Sequence, residues 1–338
     1  MVQAKSCKMK NEIAVVGAGR WGRNYLRTFN EIGCNIRWLC STRDDAMRAA
    51  MLEAKVKAKA TKNYDEVLKD NDVSAVAIAT PSSTHYRLAK QALKSGKHVL
   101  VEKPIAFSSK DVEDLIMTAK QEKLVLMAGH QQIFNPGIRK MKEDMEKGIF
   151  GKINFMNFAH LNNGPVRTDM NALWDYFPHS ISIMLYLLDE VPSIVSASGK
   201  SFLRNGIEDI ATLDAVLPNK IFAASIGSWL YPVKRMEVTI AAEKLYACFD
   251  DCAQKDKLRY YSTVPKIGSG KAARAKGFKS IKIGDERPLT IEIMHFLECI
   301  SKGKEPVNGG EEALKITRVL EAAEQSLRKN GTPVRVRA

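Results

Sequence analysis

Glu12-Ile13-Ala14-Val15-Val16-Gly17-Ala18-Gly19-Arg20-Trp21-Gly22 is the stretch that decides the fold of this chain. A short apolar strand runs into a GxGxxG, and a helical pattern over 20–32, closed by Gly33, runs out of it. Alone the motif is weak; between a strand and a helix it is strong. Its glycines allow a tight turn, close approach of a pyrophosphate and close helix–strand packing, and the helix N-terminus attracts phosphate. Working outward, the periodicity predicts strands over 36–40, 73–79, 98–101 and 124–128, and helices over 44–56, 84–94 and 111–123. Strands alternating with helices of this length imply a right-handed, mostly parallel, doubly wound α/β sheet over residues 1–128.

From about residue 129 the pattern changes. Segments 153–158, 210–217, 221–229 and 237–242 alternate as antiparallel strands do, with a turn at Pro218-Asn219. Helices are expected over 178–188, 290–301 and 311–329. Residues 129–338 therefore form a second, α+β domain with a large, mostly antiparallel sheet, its C-terminal helix expected to pack back on the first domain.

Composition bounds the function. The chain has 338 residues, length enough for two domains with buried cores. No run approaches the ~18 apolar residues of a membrane span, and residues 1–10 lack the apolar core of a signal peptide. Cys7, Cys34, Cys40, Cys248, Cys252 and Cys299 are scattered without CxxC spacing, which argues against a metal site or a disulfide framework and for a cytoplasmic setting. The net charge is +14, yet the lysines are spread along helices rather than interleaved with aromatics. The densest basic stretch, 266–282, reads as a solvated Gly/Ser/Ala-rich loop. That spread disfavours nucleic acid and favours an anionic small molecule.

Two local features specify a cofactor. The second strand ends in Leu39-Cys40-Ser41-Thr42-Arg43, with no carboxylate before Asp44 to take the ribose 2′-hydroxyl of NAD. Ser41 and Thr42 can donate to a 2′-phosphate and Arg43 can pair with it, so NADP is expected ahead of NAD. Glu102-Lys103-Pro104 follows the strand-like run 97–101 and places a lysine where a nicotinamide would lie.

The motifs in order resemble one family, the Gfo/Idh/MocA oxidoreductases. The resemblance runs from Gly17–Gly22 through Ala79-Thr80-Pro81 with His85, Gly96-Lys97-His98-Val99, Glu102-Lys103-Pro104 and Phe134-Asn135-Pro136. It continues through 148–153 and Trp174-Asp175-Tyr176-Phe177-Pro178-His179 to Gly310-Glu311-Glu312-Ala313-Leu314, nearly the whole chain. It implies a Rossmann domain followed by a domain whose open-faced sheet makes a homodimer or homotetramer. It also implies hydride transfer at a carbinol carbon of a sugar, inositol or sugar nucleotide. The catalytic set carries over onto Lys103, Asp175 and His179. The family pattern has glycine two residues before the histidine and aspartate three after it; here Phe177 and Ser182 stand there.

Read as chemistry, Asp175 and His179 are four apart, with Pro178 suited to the first turn of a helix, so both can lie on one side of its start. Histidine suits the proton transfer of an alcohol oxidation, Lys103 can hold the same oxygen, and Asp175 can orient the imidazole. The cofactor is expected against Gly17, Gly19, Arg20, Trp21, Gly22, Ser41, Thr42, Arg43, Thr80, Pro81, Glu102 and Lys103. His85 either joins them or simply starts a helix. The substrate is expected between the domains, against 162–167, with Arg167 either pairing with a phosphate or carboxylate or lying as a surface charge. Asn171, Lys103, Asp175 and His179 complete that set, and Lys234-Arg235 form a second basic pair. His130, His160 and His295 lack ligand-like spacing, and no metal is expected. The leading reading is an NADP-dependent sugar dehydrogenase or reductase, in particular one acting on a nucleotide sugar at C3. The alternatives are an inositol or free-sugar dehydrogenase and, from another class, a non-catalytic NADP-sensing regulator.

Overall fold

The computed structural model describes residues 12–262 and 277–337; Cys7 and most of the basic stretch 266–282 lie outside the described residues. The chain divides into two compact units, Met1–Gln131 with Arg287–Thr317, and Gln132–Glu286 with Arg318–Ala338.

The first unit carries β1 (Glu12–Val16), α1 (Arg20–Glu31), β2 (Asn35–Cys40), α2 (Asp44–Ala54), β3 (Lys59–Thr61), α3 (Tyr64–Lys69), β4 (Val73–Ile78), α4 (His85–Lys94), β5 (His98–Glu102), α5 (Ser109–Glu122) and β6 (Leu126–Gly129). The six strands are parallel, in the order β3-β2-β1-β4-β5-β6. Their apolar runs are buried without alternation, as expected where helices cover both faces. On one face Val76, Ile78, Val99 and Val101 pack with Leu88, Leu93, Val112 and Leu115 of α4 and α5. Periodicity over 57–72 gave no signal for β3 and α3, which are too short to show one. Asn63 starts α3 by accepting the Asp65 N–H at 3.0 Å.

The second unit begins with α6 (Pro136–Glu146), which the periodicity did not show. Asn135 caps it through the Gly137 N–H at 3.0 Å, and Pro136 occupies its first turn. Then come β7 (Ile153–Asn163), α7 (Ala172–Leu188), β8 (Ile194–Lys200), β9 (Ile210–Val216), β10 (Phe222–Ser228), β11 (Leu230–Ala242), β12 (Tyr246–Asp250), β13 (Leu258–Tyr261) and β14 (Lys279–Ile281). With β15 (Val334–Arg335) these strands form a nine-stranded sheet, ordered β14-β13-β12-β11-β7-β10-β9-β8-β15. Its neighbours are antiparallel except β10 on β7, which is parallel. Residues 279–281, expected in a solvated loop, instead pair with β13 as an edge strand. Along β9 and β10 buried and exposed residues alternate, so one face packs on α7 while Val216 and Phe222 sit on the other.

α7 corrects the expected helix start. It begins six residues before Pro178, which is inside the helix rather than in its first turn. Asn171 caps it by accepting the Trp174 N–H at 3.1 Å. Proline at 178 deprives the Trp174 carbonyl of its i+4 donor, normally a cost of about 3 kcal/mol. Burial of nearly every residue of α7 overrides that local penalty.

Two further helices follow, α8 (Pro288–Lys302) and α9 (Gly310–Arg328). Between them the chain returns to the first unit's sheet: Ala128 N–H donates to Asn308 O at 2.9 Å, and Met127 and Gly309 form an antiparallel bridge. That segment covers the otherwise open edge of β6. Ala313 and Leu314, from the start of α9, join the same apolar core.

Candidate functional site

The glycine loop has the stereochemistry that a bound dinucleotide needs. Gly17 has φ +107°, and a Cβ on it would lie 2.3 Å from the Ala79 carbonyl oxygen. A Cβ on Gly22 would lie 1.8 Å from the Gly17 oxygen, so α1 rests directly on the turn. At Gly19 nothing lies within 4 Å of where a Cβ would be: this is the open side of the loop. No side chain caps α1 and no acidic residue stands in its first turn, so its N-terminal N–H groups suit a phosphate. Beside it lies a cavity of ≈ 520 Å³ lined by residues that include Gly19, Arg20, Arg23, Ser41, Arg43 and Glu53. Thr42 is not among its lining residues, nor is Trp21.

Four of the charges lining the cavity pair with one another. Arg43 donates from Nε and Nη2 to Asp45 at 3.3 and 2.5 Å, and Arg23 meets Glu53 at 2.9 Å. The Asp45 hydrogen bond raises the Arg43 pKa, and Arg43 in turn holds the Asp45 carboxyl below its usual value. Arg23, one turn after Arg20 on α1, lies just outside the glycine motif and so carries no motif signal. The i,i+3 spacing of the two arginines was the available signal.

At the end of β5 the chain turns through a cis Lys103–Pro104 peptide. Glu102 Oε2 accepts the Lys103 backbone N–H at 3.2 Å. His85 is buried at the first position of α4, with Nδ1 2.8 Å from Pro104 O and Nε2 2.9 Å from Thr80 O. It therefore ties the Thr80-Pro81 turn to the Lys103-Pro104 corner, a role beyond starting a helix. The Thr80 and Thr84 hydroxyls are 2.7 Å apart, and Thr84 Oγ1 donates to Pro81 O at 2.7 Å. His130, just past β6, is buried in the field of Lys103; burial first, then that charge, push its pKa down to about 3, so the ring is neutral.

In the second unit α7 presents Asp175 and His179 four residues apart. Trp229, fully buried beyond β10, donates from Nε1 to Asp175 Oδ2 at 3.0 Å. The His179 ring stacks on His160 of β7 with centroids 5.1 Å apart, and His160 lies 4.6 Å from the Tyr176 ring. Burial, then the Asp175 charge, raise the Tyr176 hydroxyl pKa. Phe177 stands where the family pattern has glycine, and Gly227 opposite makes room for it: a Cβ on Gly227 would lie 2.8 Å from the Phe177 ring. Ser182, in place of the aspartate, donates to His179 O at 3.0 Å. Trp229 and His160 were missed as neighbours of Asp175 and His179, because β10 and β7, which bring them there, are separate from α7 in sequence; Tyr176 stands beside Asp175 on α7 itself.

The other expected substrate residues have visible structural partners. Asn171 caps α7 and donates to Glu208 at 2.8 Å. Arg167 is held by Asp169 in a fork of 2.9 and 2.8 Å, and the Arg204 guanidinium donates to the Arg167 carbonyl. Arg235 lies over the Tyr231 ring at 5.3 Å. Among the described residues no cluster of three or more His, Cys, Asp or Glu side chains suits a metal ion, and no helix is long and apolar enough to cross a membrane.

Comparison with known proteins agrees with this geometry. Residues 11–130 match the model of the GFO/IDH/MocA oxidoreductase family with NAD-binding Rossmann fold, and residues 138–246 match the GFO/IDH/MocA C-terminal domain. The UDP-N-acetylglucosamine 3-dehydrogenase of Acidithiobacillus ferrooxidans is 27% identical over 293 residues, 85% of this chain and 88% of that protein. A solved structure from Magnetospirillum magnetotacticum, assigned as an oxidoreductase, is 30% identical with a TM-score of 0.80, covering 93% of this chain and 99% of that one. Levoglucosan dehydrogenase, solved with NADH and L-sorbose, shares the fold at a TM-score of 0.85 and 18% identity, covering 97% and 99% of the two chains. With both family models matched in order and the glycine loop built to receive a dinucleotide, the chain is an NAD(P)-binding oxidoreductase of the Gfo/Idh/MocA family.

Proposed function

We propose that the protein is an NADP-dependent dehydrogenase or reductase acting on a CH–OH carbon of a sugar derivative, in particular a nucleotide-linked hexose at C3. The observation that carries the chemistry is the retention of Lys103, directly after β5, and of Asp175 and His179 on α7. The nucleotide-sugar reading draws on the 27% identity to a UDP-N-acetylglucosamine 3-dehydrogenase and on the chain's net charge of +14. The nicotinamide, when bound, takes or returns the hydride. His179 takes the hydroxyl proton, Lys103 steadies the oxygen as it gains charge, and Asp175, gripped by Trp229, orients its partners. Lys103→Ala or His179→Ala lowers turnover by about 10²-fold or more while leaving cofactor affinity largely intact. Steady-state rates and a cofactor fluorescence titration check this, and normal turnover in both variants overturns the assignment.

NADP is favoured because Ser41 and Arg43 line the cavity beside the glycine loop and no carboxylate stands at the end of β2. A 2′-phosphate there competes with Asp45 for Arg43. Asp45→Ala therefore tightens NADPH binding relative to NADH, read by parallel fluorescence titrations; tighter NADH than NADPH binding in the wild type contradicts the preference. A reducing cytoplasmic setting fits the free thiols of Cys40, Cys248, Cys252 and Cys299. Self-association through the open face of the nine-stranded sheet fits the stacked Phe155 and Phe222 rings, 5.9 Å apart, and is measured by light scattering.

A further inference from the structure

Behind Lys103, within the first unit, lies a buried polar cluster assembled from four separate stretches of chain. Glu102 is 6% exposed and Glu292, on α8, is 0% exposed. Asn308, also 0% exposed, donates from Nδ2 to Glu292 Oε1 at 3.2 Å and to Ala128 O at 2.5 Å. Gly129, next to Ala128, pairs with Glu102 across β5 and β6, and a Cβ on it would lie 3.3 Å from both Glu102 Oε2 and the Tyr25 hydroxyl. The groups facing Glu292 are thus Glu102 from β5, Tyr25 from α1 and Asn308 from the loop before α9, with Lys103 and neutral His130 beside Glu102. A second full negative charge is untenable in so dry a place. Burial, then the neighbouring Glu102, raise the Glu292 pKa well above its ordinary value. Glu292 Oε2 and Asn308 Oδ1 are both buried without a hydrogen-bond partner, and a carboxylic O–H supplies the donor that such acceptors lack.

We propose that Glu292 is a protonated positioning residue: it and Glu102 hold one proton between them, so that a single carboxylate stands behind Lys103. Its effect on turnover rests on the role given to Lys103 above; the protonation itself does not. A carboxyl with a raised folded-state pKa contributes stability that is complete below its unfolded value, near 4.5, and is lost as pH rises toward the folded value. Urea unfolding of the full chain from pH 5 to 8 should show the folding constant of the wild type falling about tenfold per pH unit relative to Glu292→Gln, the isostere of the protonated acid. Parallel curves overturn the proposal. Infrared spectra of the wild type at neutral pH should show a protonated carboxylic C=O band, and its absence overturns the proposal even if the variant fails to fold. In turnover, the wild type should lose kcat as pH rises through the alkaline range and Glu292→Gln should not. A tenfold fall in kcat at neutral pH with the fold intact shows that an ionised Glu292 is needed and overturns the proposal. If Lys103→Ala retains turnover while the infrared band and pH slope are present, the catalytic reading fails and the proton assignment stands.

Discussion

Gly22 and Trp229 show how single atoms set the two parts of the candidate site. A methyl group on Gly22 meets the Gly17 backbone oxygen at 1.8 Å, and backbone cannot swing aside as a side chain can. Gly22→Ala is expected to lower stability by about 1–3 kcal/mol through overpacking and to weaken cofactor binding. Urea unfolding and a cofactor titration read both effects. Trp229 contributes one N–H to a carboxylate inside the second unit. Trp229→Phe preserves most of the packing and deletes that bond, which for a charged acceptor is worth about 1.5–3 kcal/mol, so kcat/KM should fall by about tenfold or more. The motif residues were legible because they recur at fixed local spacing. Trp229 was not, since nothing near residue 175 in the sequence signals a donor 54 positions later.

At the scale of the element, α7 is the informative case. Its C-terminal half could be read from the apolar spacing of Ile181, Met184, Leu185 and Leu188. Its true start could not, because proline at 178 argues locally for a helix beginning there. Burial against the sheet outweighs the hydrogen bond that proline removes, and Asn171 supplies the cap. Asn171→Ala should destabilise the chain by about 1 kcal/mol and loosen the turn that carries Asp175, visible as a lower unfolding midpoint. β3, α3 and α6 were missed for the opposite reason. β3 and α3 are too short to show a period, α6 carries only Ile138, Met141 and Met145 as large apolar side chains, and the caps Asn63 and Asn135 signal the two helices better.

For the whole molecule, acid sensitivity has an identifiable source. Arg37 of β2 meets Glu12 at 2.5 Å, Asp70 at 2.6 Å and Asp72 at 2.7 Å, and Trp38 Nε1 also donates to Asp70 at 2.7 Å. The Arg37 hydrogen bond, helped by Trp38, holds the Asp70 carboxyl at about 2. A depressed carboxyl contributes stability that is complete above its unfolded value, near 4, and vanishes as pH falls through the folded value. The stability gap between wild type and Arg37→Ala should therefore be widest above about pH 4 and close toward pH 2, as urea midpoints will show. A gap independent of pH contradicts this account.

The doubly wound sheet, the glycine loop, the Lys103 corner and the Asp175–His179 pair follow from the sequence alone, because periods of two and 3.6 residues and fixed motif spacings are local properties. Tertiary structure alone decided which distant groups complete them. It set Trp229 against Asp175, His85 between Thr80 and Pro104, Glu53 on Arg23, Gly227 beneath Phe177, and the 287–317 segment along β6 with Glu292 near Glu102. The reason is physical: hydrogen bonding and burial act over a few ångströms of space, and residues 30 or 190 positions apart become neighbours only when the chain has folded.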